Sequence, residues 1–354
     1  MTNEKTVHDA TIAPVDPSFP EVGSSVACRS GLLDLLLKRS FVIAALIFVG
    51  IVGQLMSPYF FTAQNVENIV LTGAVISVLA VGQFMVIVTA GIDLSVGAVT
   101  ALATVVAAKL LAAGWGVPET ILATLLFCSA FGTLSGFLVV FGRITPFVAT
   151  LGTMSVAQGV AYLIQGGMLI VIRNDDFKAL LAGKALGINA QVLTFITVTV
   201  VFTLIMRFSV FGRQLYAIGG NAEAARLSGL PVKRNLVAAY AISGLLAGLA
   251  GLMLAAQLGQ GSSLMARGAE LDSIAAAVVG GASLFGGVGT PLAAVVGGLL
   301  IGTISNIFDL RGVAAEPQLI MKGLLILLAV FLTSGHGVEL RQRFRQSLAA
   351  RRIR

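Results

Sequence analysis

Charge is scarce in this sequence: Asp, Glu, Lys and Arg make up 11% of 354 residues against 57% apolar, and mean hydropathy is +0.96. A soluble domain carries roughly 25% charged residues, so the deficit excludes one and leaves a polytopic membrane protein. Histidine is nearly missing. His8 lies in the polar amino-terminal segment and His336 just past the last apolar run, so neither can act as a base for a serine or an acid within a span. There is no HExxH and no GxxxxGK[ST], which leaves no expected catalytic residue or metal site and assigns any use of ATP to a partner. The two cysteines, Cys28 and Cys128, fall in a tail and in an apolar run, which suggests neither a disulfide framework nor a metal cluster. The first thirty or so residues lack an apolar core before a cleavage site, so they read as a disordered tail and not as a signal peptide.

Long apolar runs are what the chain does have. A spanning helix needs about 20 mostly apolar residues, and ten stretches qualify: 41–57, 69–90, 93–113, 119–141, 145–166, 190–207, 235–257, 271–287, 288–308 and 318–334. Gly280, Gly281, Gly286, Gly287 and Gly289 interrupt the eighth and ninth, so the expected fold is all-α with 8–10 spans, some broken or re-entrant. Cytoplasmic flanks collect Lys and Arg. Lys38, Arg39 and Arg143 flank spans, the stretch 207–234 holds five basic residues against Glu223, and 341–354 holds six arginines and no acid. Ten spans with both termini in the cytoplasm put all of these on one side. Lys109 and Lys322 run against the rule and are expected to snorkel. The same bias accounts for the net charge of +7, and no nucleic-acid partner is needed to explain it.

Glycine, 41 residues, is concentrated inside the spans. Gly244 with Gly248, and Gly298 with Gly302, have the spacing that brings helix backbones together in lipid. "GRITPFVATLG" (142–152) aligns with "GVGTPLAAVVG" (287–297) at five positions. That is compatible with a parallel repeat, although a Thr cap followed by Pro in the first turn explains the shared Thr-Pro more simply.

Asp93 is the only charged side chain from Ile69 to Ala108. An intramembrane carboxylate costs about 2.5–3.5 kcal/mol and commonly faces a cavity or pathway. Two roles stay open for it: capping a helix broken at Gly91, with Ser95 beside it, or lining a route. Asp272, opening the eighth segment after Glu270, is a candidate for a similar job. Gln83, Gln158, Gln165, Gln257 and Asn306 are amides within spans, which serve either interhelical hydrogen bonding or contact with a neutral, hydroxyl-rich solute. "FGRQLYAIGGNAEAARLSGLPVKR" (211–234) carries a helix-like run, Asn221 to Ser228, set off by Gly219, Gly220 and Gly229 and stopped by Pro231. It reads as a docking helix for a cytosolic protein or as an ordinary solvated loop.

Three stretches in order, "GIDLSVGAVTAL" (91–102), "GRQLYAIGGNAEAARLSGL" (212–230) and "ELDSIAAAVVGGASLFGGVGT" (270–290), resemble the signature regions of the membrane permeases of ribose-type ABC sugar importers, and the likeness extends from about Leu37 to Thr333. The resemblance implies a dimer of permeases in the bacterial inner membrane, a cytosolic ABC ATPase that binds ATP and Mg, and a periplasmic or lipid-anchored sugar-binding protein. "EAAxxxG" (223–229) is similar to the start of the ATPase-coupling motif, although the later Ile-x-Leu-Pro part is not evident. By that likeness coupling is expected at Asn221, Glu223, Ala224, Ala225, Arg226 and Gly229. Residues 1–36 would be a tail, 37–334 the permease with a coupling loop at 208–234, and 335–354 a basic tail. An ATP-independent channel or carrier for a small polyol is the competing expectation, and it leaves 221–229 without a role.

Overall fold

The computed structural model describes residues 44–333 except Leu186. The expected tails, 1–36 and 335–354, lie outside the described residues. Ten helices match the ten apolar runs: α1 Ala44–Met56, α2 Ala63–Ile87, α3 Val96–Ala112, α4 Val117–Val140, α5 Pro146–Gln165, α7 Ala190–Phe208, α10 Val232–Leu258, α11 Ala269–Val279, α12 Pro291–Leu310 and α13 Ala315–Thr333. Three further helices lie between them, α6 Asp175–Ala182, α8 Val210–Gly220 and α9 Ala222–Leu227, with four two-residue strands. β1 (Ile170–Val171) pairs antiparallel with β4 (Gln260–Gly261), tying the 167–189 loop to the end of α10, and β2 (Lys184–Ala185) forms a hairpin with β3 (Ile188–Asn189).

Among the described residues six helices, α2, α4, α5, α7, α10 and α12, are long and apolar enough to cross a membrane unaided. The eighth run does not make a span. α11 has 11 residues, about 16 Å at 1.5 Å per residue, half of the roughly 30 Å hydrocarbon layer. It is short for two reasons. Ahead of it, 259–268 turns back along α3, where the Thr104 hydroxyl donates to the Ser262 carbonyl at 3.2 Å and accepts from the Ser262 amide at 3.1 Å. Behind it, Gly281, Gly286, Gly287 and Gly289 all take left-handed φ values, a conformation that a helix cannot continue through.

Hydropathy is similar in all six long helices, but burial divides them. The most apolar 18-residue windows of α2, α12 and α10 are 78%, 67% and 61% buried, against 28%, 28% and 22% for α4, α5 and α7. α2, α10 and α12 are thus central, and small residues put them there. A Cβ on Gly244 would lie 2.9 Å from the Gly132 Cα of α4, and one on Gly302 would lie 2.8 Å from the Gly73 Cα of α2. Both expected glycine pairs therefore sit at helix crossings. Of the two Thr-Pro starts, Thr290 caps α12 by accepting from the Ala293 amide at 3.2 Å, while Thr145 begins α5 without a side-chain cap.

Candidate functional site

α2 ends at Ile87 and α3 begins at Val96. The eight residues between them form no helix and are held by side chains. Asp93 is fully buried. Its Oδ1 accepts from the Ser95 amide at 2.9 Å and the Ser95 hydroxyl at 2.6 Å, and its Oδ2 accepts from the Ser243 hydroxyl of α10 at 2.8 Å. With its amide turned to satisfy both ends, Gln83 donates to the Asp93 carbonyl at 2.9 Å and accepts from the Asp93 amide at 3.2 Å. An unwound backbone in a membrane has no water to bond; Gln83 replaces the missing helical partners and the carboxylate ties the break to α10. Gly91 lies against the Tyr240 hydroxyl, 2.7 Å from where its Cβ would stand.

The segment 208–234 folds as two helices. α8 begins at Ser209, whose hydroxyl accepts from the Gly212 amide, and α9 begins at Asn221, whose Oδ1 accepts from the Ala224 amide at 2.9 Å. Gly229 ends α9 in the left-handed conformation. Pro231 serves as the N-cap of α10. On α9 Ala225 is buried, while Leu227 is 73% exposed. Glu223 and Arg226 form a two-pronged exposed ion pair at 2.6 and 3.0 Å, and Arg226 holds the Glu223 carboxyl below its ordinary range.

α8 runs from α9 to both irregular segments at once. A Cβ on Gly219 would strike the Val88 carbonyl, to which the Gly287 amide donates at 2.8 Å. The Tyr216 hydroxyl donates to the Gly289 carbonyl at 2.8 Å, and its ring lies 6.5 Å from that of Phe84 on α2. The motif regions at 212–230 and 270–290 thus meet at the end of α8, against Val88, which opens the break that leads into the third, 91–102.

The remaining expected residues separate. Gln158 donates to the Ser263 carbonyl at 2.6 Å and Gln165 accepts from the Ser263 amide at 2.6 Å, so both anchor the re-entrant 259–268 segment. Asp272 lies in the first turn of α11, away from the glycine loop, and pairs at 2.9 Å with Lys322 of α13, the two side chains only 10% and 14% exposed. Lys322 therefore does not snorkel; it is neutralised inside the bundle. At the other end of α2 and α12 from α8, Asn65 and Asn306 donate to each other's carbonyl oxygens at 2.9 and 2.8 Å. They line a cavity of about 330 Å³ with Asn68, Thr72, Gln257 and Asp309. A second cavity, about 420 Å³, lies between α8 and the start of α10 and contains Phe211, Gln214 and Arg234.

Sequence reasoning missed Ser243, Tyr240, Asn65, Asn68 and Thr72. Each is polar within or at the end of an apolar helix, and that was the only signal available. Their partners lie up to 241 positions away, where no local period points.

Residues 65–330 match the family model described as branched-chain amino acid transport system / permease component. The D-allose transport system permease protein of Escherichia coli K12 is 37% identical over 83% of this chain and 90% of its own length. The ribose import permease protein of the same organism is 37% identical over 84% and 94%. The L-arabinose ABC transporter permease protein of Azospirillum brasilense is 34% identical over 88% and 92%. No solved structure matches the chain.

Proposed function

The chain belongs to the family of ABC-importer membrane permeases, and on that premise we propose that it moves a monosaccharide or sugar-like solute by alternating access, in a multi-pass assembly of the bacterial inner membrane. It carries no catalytic chemistry of its own. A cytosolic ATPase binds ATP and Mg, an extracytoplasmic binding protein delivers the cargo, and a second permease, identical or different, completes the channel. In this reading both termini and α8–α9 are cytoplasmic, and the 167–189 loop is external.

The observation that carries the proposal is the seat of α8 on Val88 and Gly287. Asn221, Glu223, Ala224, Ala225, Arg226 and Gly229 form or end a helix that the ATPase engages. Gly219, ten residues before Gly229, touches the backbone of both irregular segments. Displacement of α9 is passed through α8 to the α2–α3 break, where Asp93, Ser95 and Gln83 keep the unwound chain in one geometry, and to the glycine loop ahead of α12. The ATPase biases the permease only as far as it binds its two states differently, so a rigid backbone contact is the means by which that difference reaches the helices.

The test is co-purification of the chain with its ATPase, followed by ATP hydrolysis and uptake in liposomes containing binding protein. Arg226→Glu and Gly229→Pro are expected to abolish association. Gly219→Val is expected to leave association intact and to reduce uptake per ATP hydrolysed. Solute flux through the purified chain without any ATPase would replace this reading with that of a channel or carrier.

A further inference from the structure

We infer that the cavity between the far ends of α2, α10 and α12 is a binding site for one neutral polyhydroxyl molecule, the point at which cargo first enters the permease. Its volume, about 330 Å³, lies near the lower end of the roughly 300–1,000 Å³ range of small-molecule pockets, which suits a single sugar ring. The cavity is lined by four amide residues, Asn65, Asn68, Gln257 and Asn306, together with Thr72 and Asp309, whose Oδ1 also accepts from Gln318 at 3.0 Å. Amides both donate and accept, and a hydroxyl-rich ligand needs both at each position. No lysine or arginine lines the cavity, so a carboxylate-bearing solute such as an amino acid would find no cation there.

Location supports the same assignment. α2, α10 and α12 are the central helices, and the cavity opens at the end opposite α8. Asn68, Gln257 and Asp309 are exposed, and polar side chains on transmembrane helices face water or protein rather than lipid. Below the cavity α2 and α12 cross tightly, with Gly73 and Gly302 in backbone contact and Gly298 against Ser77. The reciprocal Asn65–Asn306 pair stands directly above that crossing. A sugar hydroxyl can replace either amide in this pair, so ligand binding competes with the hydrogen bonds that hold α2 and α12 together at this level.

The inference rests on the importer reading, and the test separates the two. Asn68→Cys, in a Cys28→Ser background that leaves only buried Cys128, is reacted with a membrane-impermeant thiol reagent in proteoliposomes of the assembled transporter, with and without D-ribose, D-allose or L-arabinose. In parallel, Gln257→Leu and Asn306→Leu are assayed for sugar moved per ATP hydrolysed. Labelling from the outside, slowed by one of the sugars and not by an amino acid such as leucine, is expected. Loss of the amide contacts is expected to lower sugar moved per ATP about tenfold, roughly the effect of one or two hydrogen bonds. A purely structural role would reduce uptake and hydrolysis together, leave that ratio unchanged and overturn the assignment. So would a cysteine that fails to react, one that no sugar protects, or one that forms a disulfide with its counterpart on a second permease. In each of these cases ATP-driven uptake by the wild type keeps the importer reading intact. Absence of ATP-driven uptake by the wild type, with sugar still protecting the cysteine, would instead remove the importer reading and leave the site.

Discussion

Asp93 shows what one charged residue does in a membrane when all of its oxygens are used. Its carboxylate accepts three hydrogen bonds, two from Ser95 and one from Ser243, so its task is met by acceptor geometry. Asn can keep both Ser95 bonds through its oxygen and turn its amide toward the Ser243 oxygen. Asp93→Asn is therefore expected to cost about 1 kcal/mol, the value of one ordinary hydrogen bond, whereas Asp93→Leu orphans three buried donors and costs roughly 3–6 kcal/mol. Thermal unfolding of the two variants in detergent checks the ranking, and an Asn variant as damaged as the Leu variant would show that the charge itself is required. The acid was legible in the sequence because it is alone in an apolar run. Ser243 was not, since it lies 150 residues away at the head of a stretch that reads only as a glycine-spaced helix.

Elements reveal what hydropathy averages conceal. The eighth apolar run reads as a span because its residues are apolar; it folds as half a helix and a loop because glycines and a re-entrant lead-in limit its length. The short helix of the 208–234 segment was better marked in the sequence, by an Asn at its start and a Gly at its end, and α9 occupies the residues between them. α13 depends on α11 through Lys322 and Asp272. Breaking a buried ion pair from one side costs about 3–5 kcal/mol, while replacing both partners with apolar residues is often neutral. Lys322→Met is accordingly expected to lower stability by that amount and Lys322→Met with Asp272→Leu to recover most of it. A double variant no better than the single one would mean that Asp272 is needed for more than pairing; its second carboxylate oxygen, buried without a partner, is the atom to suspect.

At the scale of the whole molecule, basic residues are distributed unevenly between the two ends of the bundle. In the 167–189 loop, Lys178 pairs with Asp175 at 2.7 Å and Lys184 with Glu67 at 3.0 Å, so two of its three cations are offset by acids. At the α8–α9 end, Arg226 pairs with Glu223, the segment's only acid, while Arg207 and Lys233 lie over the rings of Phe208 and Phe141, contacts that leave their charge uncompensated. Among the described residues the net positive charge therefore sits with α9, and by the bias toward basic cytoplasmic loops that end is expected to face the cytoplasm. In cells carrying the Cys28→Ser background, a cysteine at exposed Ala222 should react with an impermeant thiol reagent only after the membrane is opened, and one at exposed Asp176 should react in intact cells. The reverse pattern would invert the bundle and turn α9 away from any cytosolic partner. Reaction of both in intact cells would mean that the number of crossings between them is even. α7 alone separates Asp176 from Ala222, so the outcome depends on whether that one 19-residue helix, apolar and mostly exposed along its length, passes fully through the bilayer.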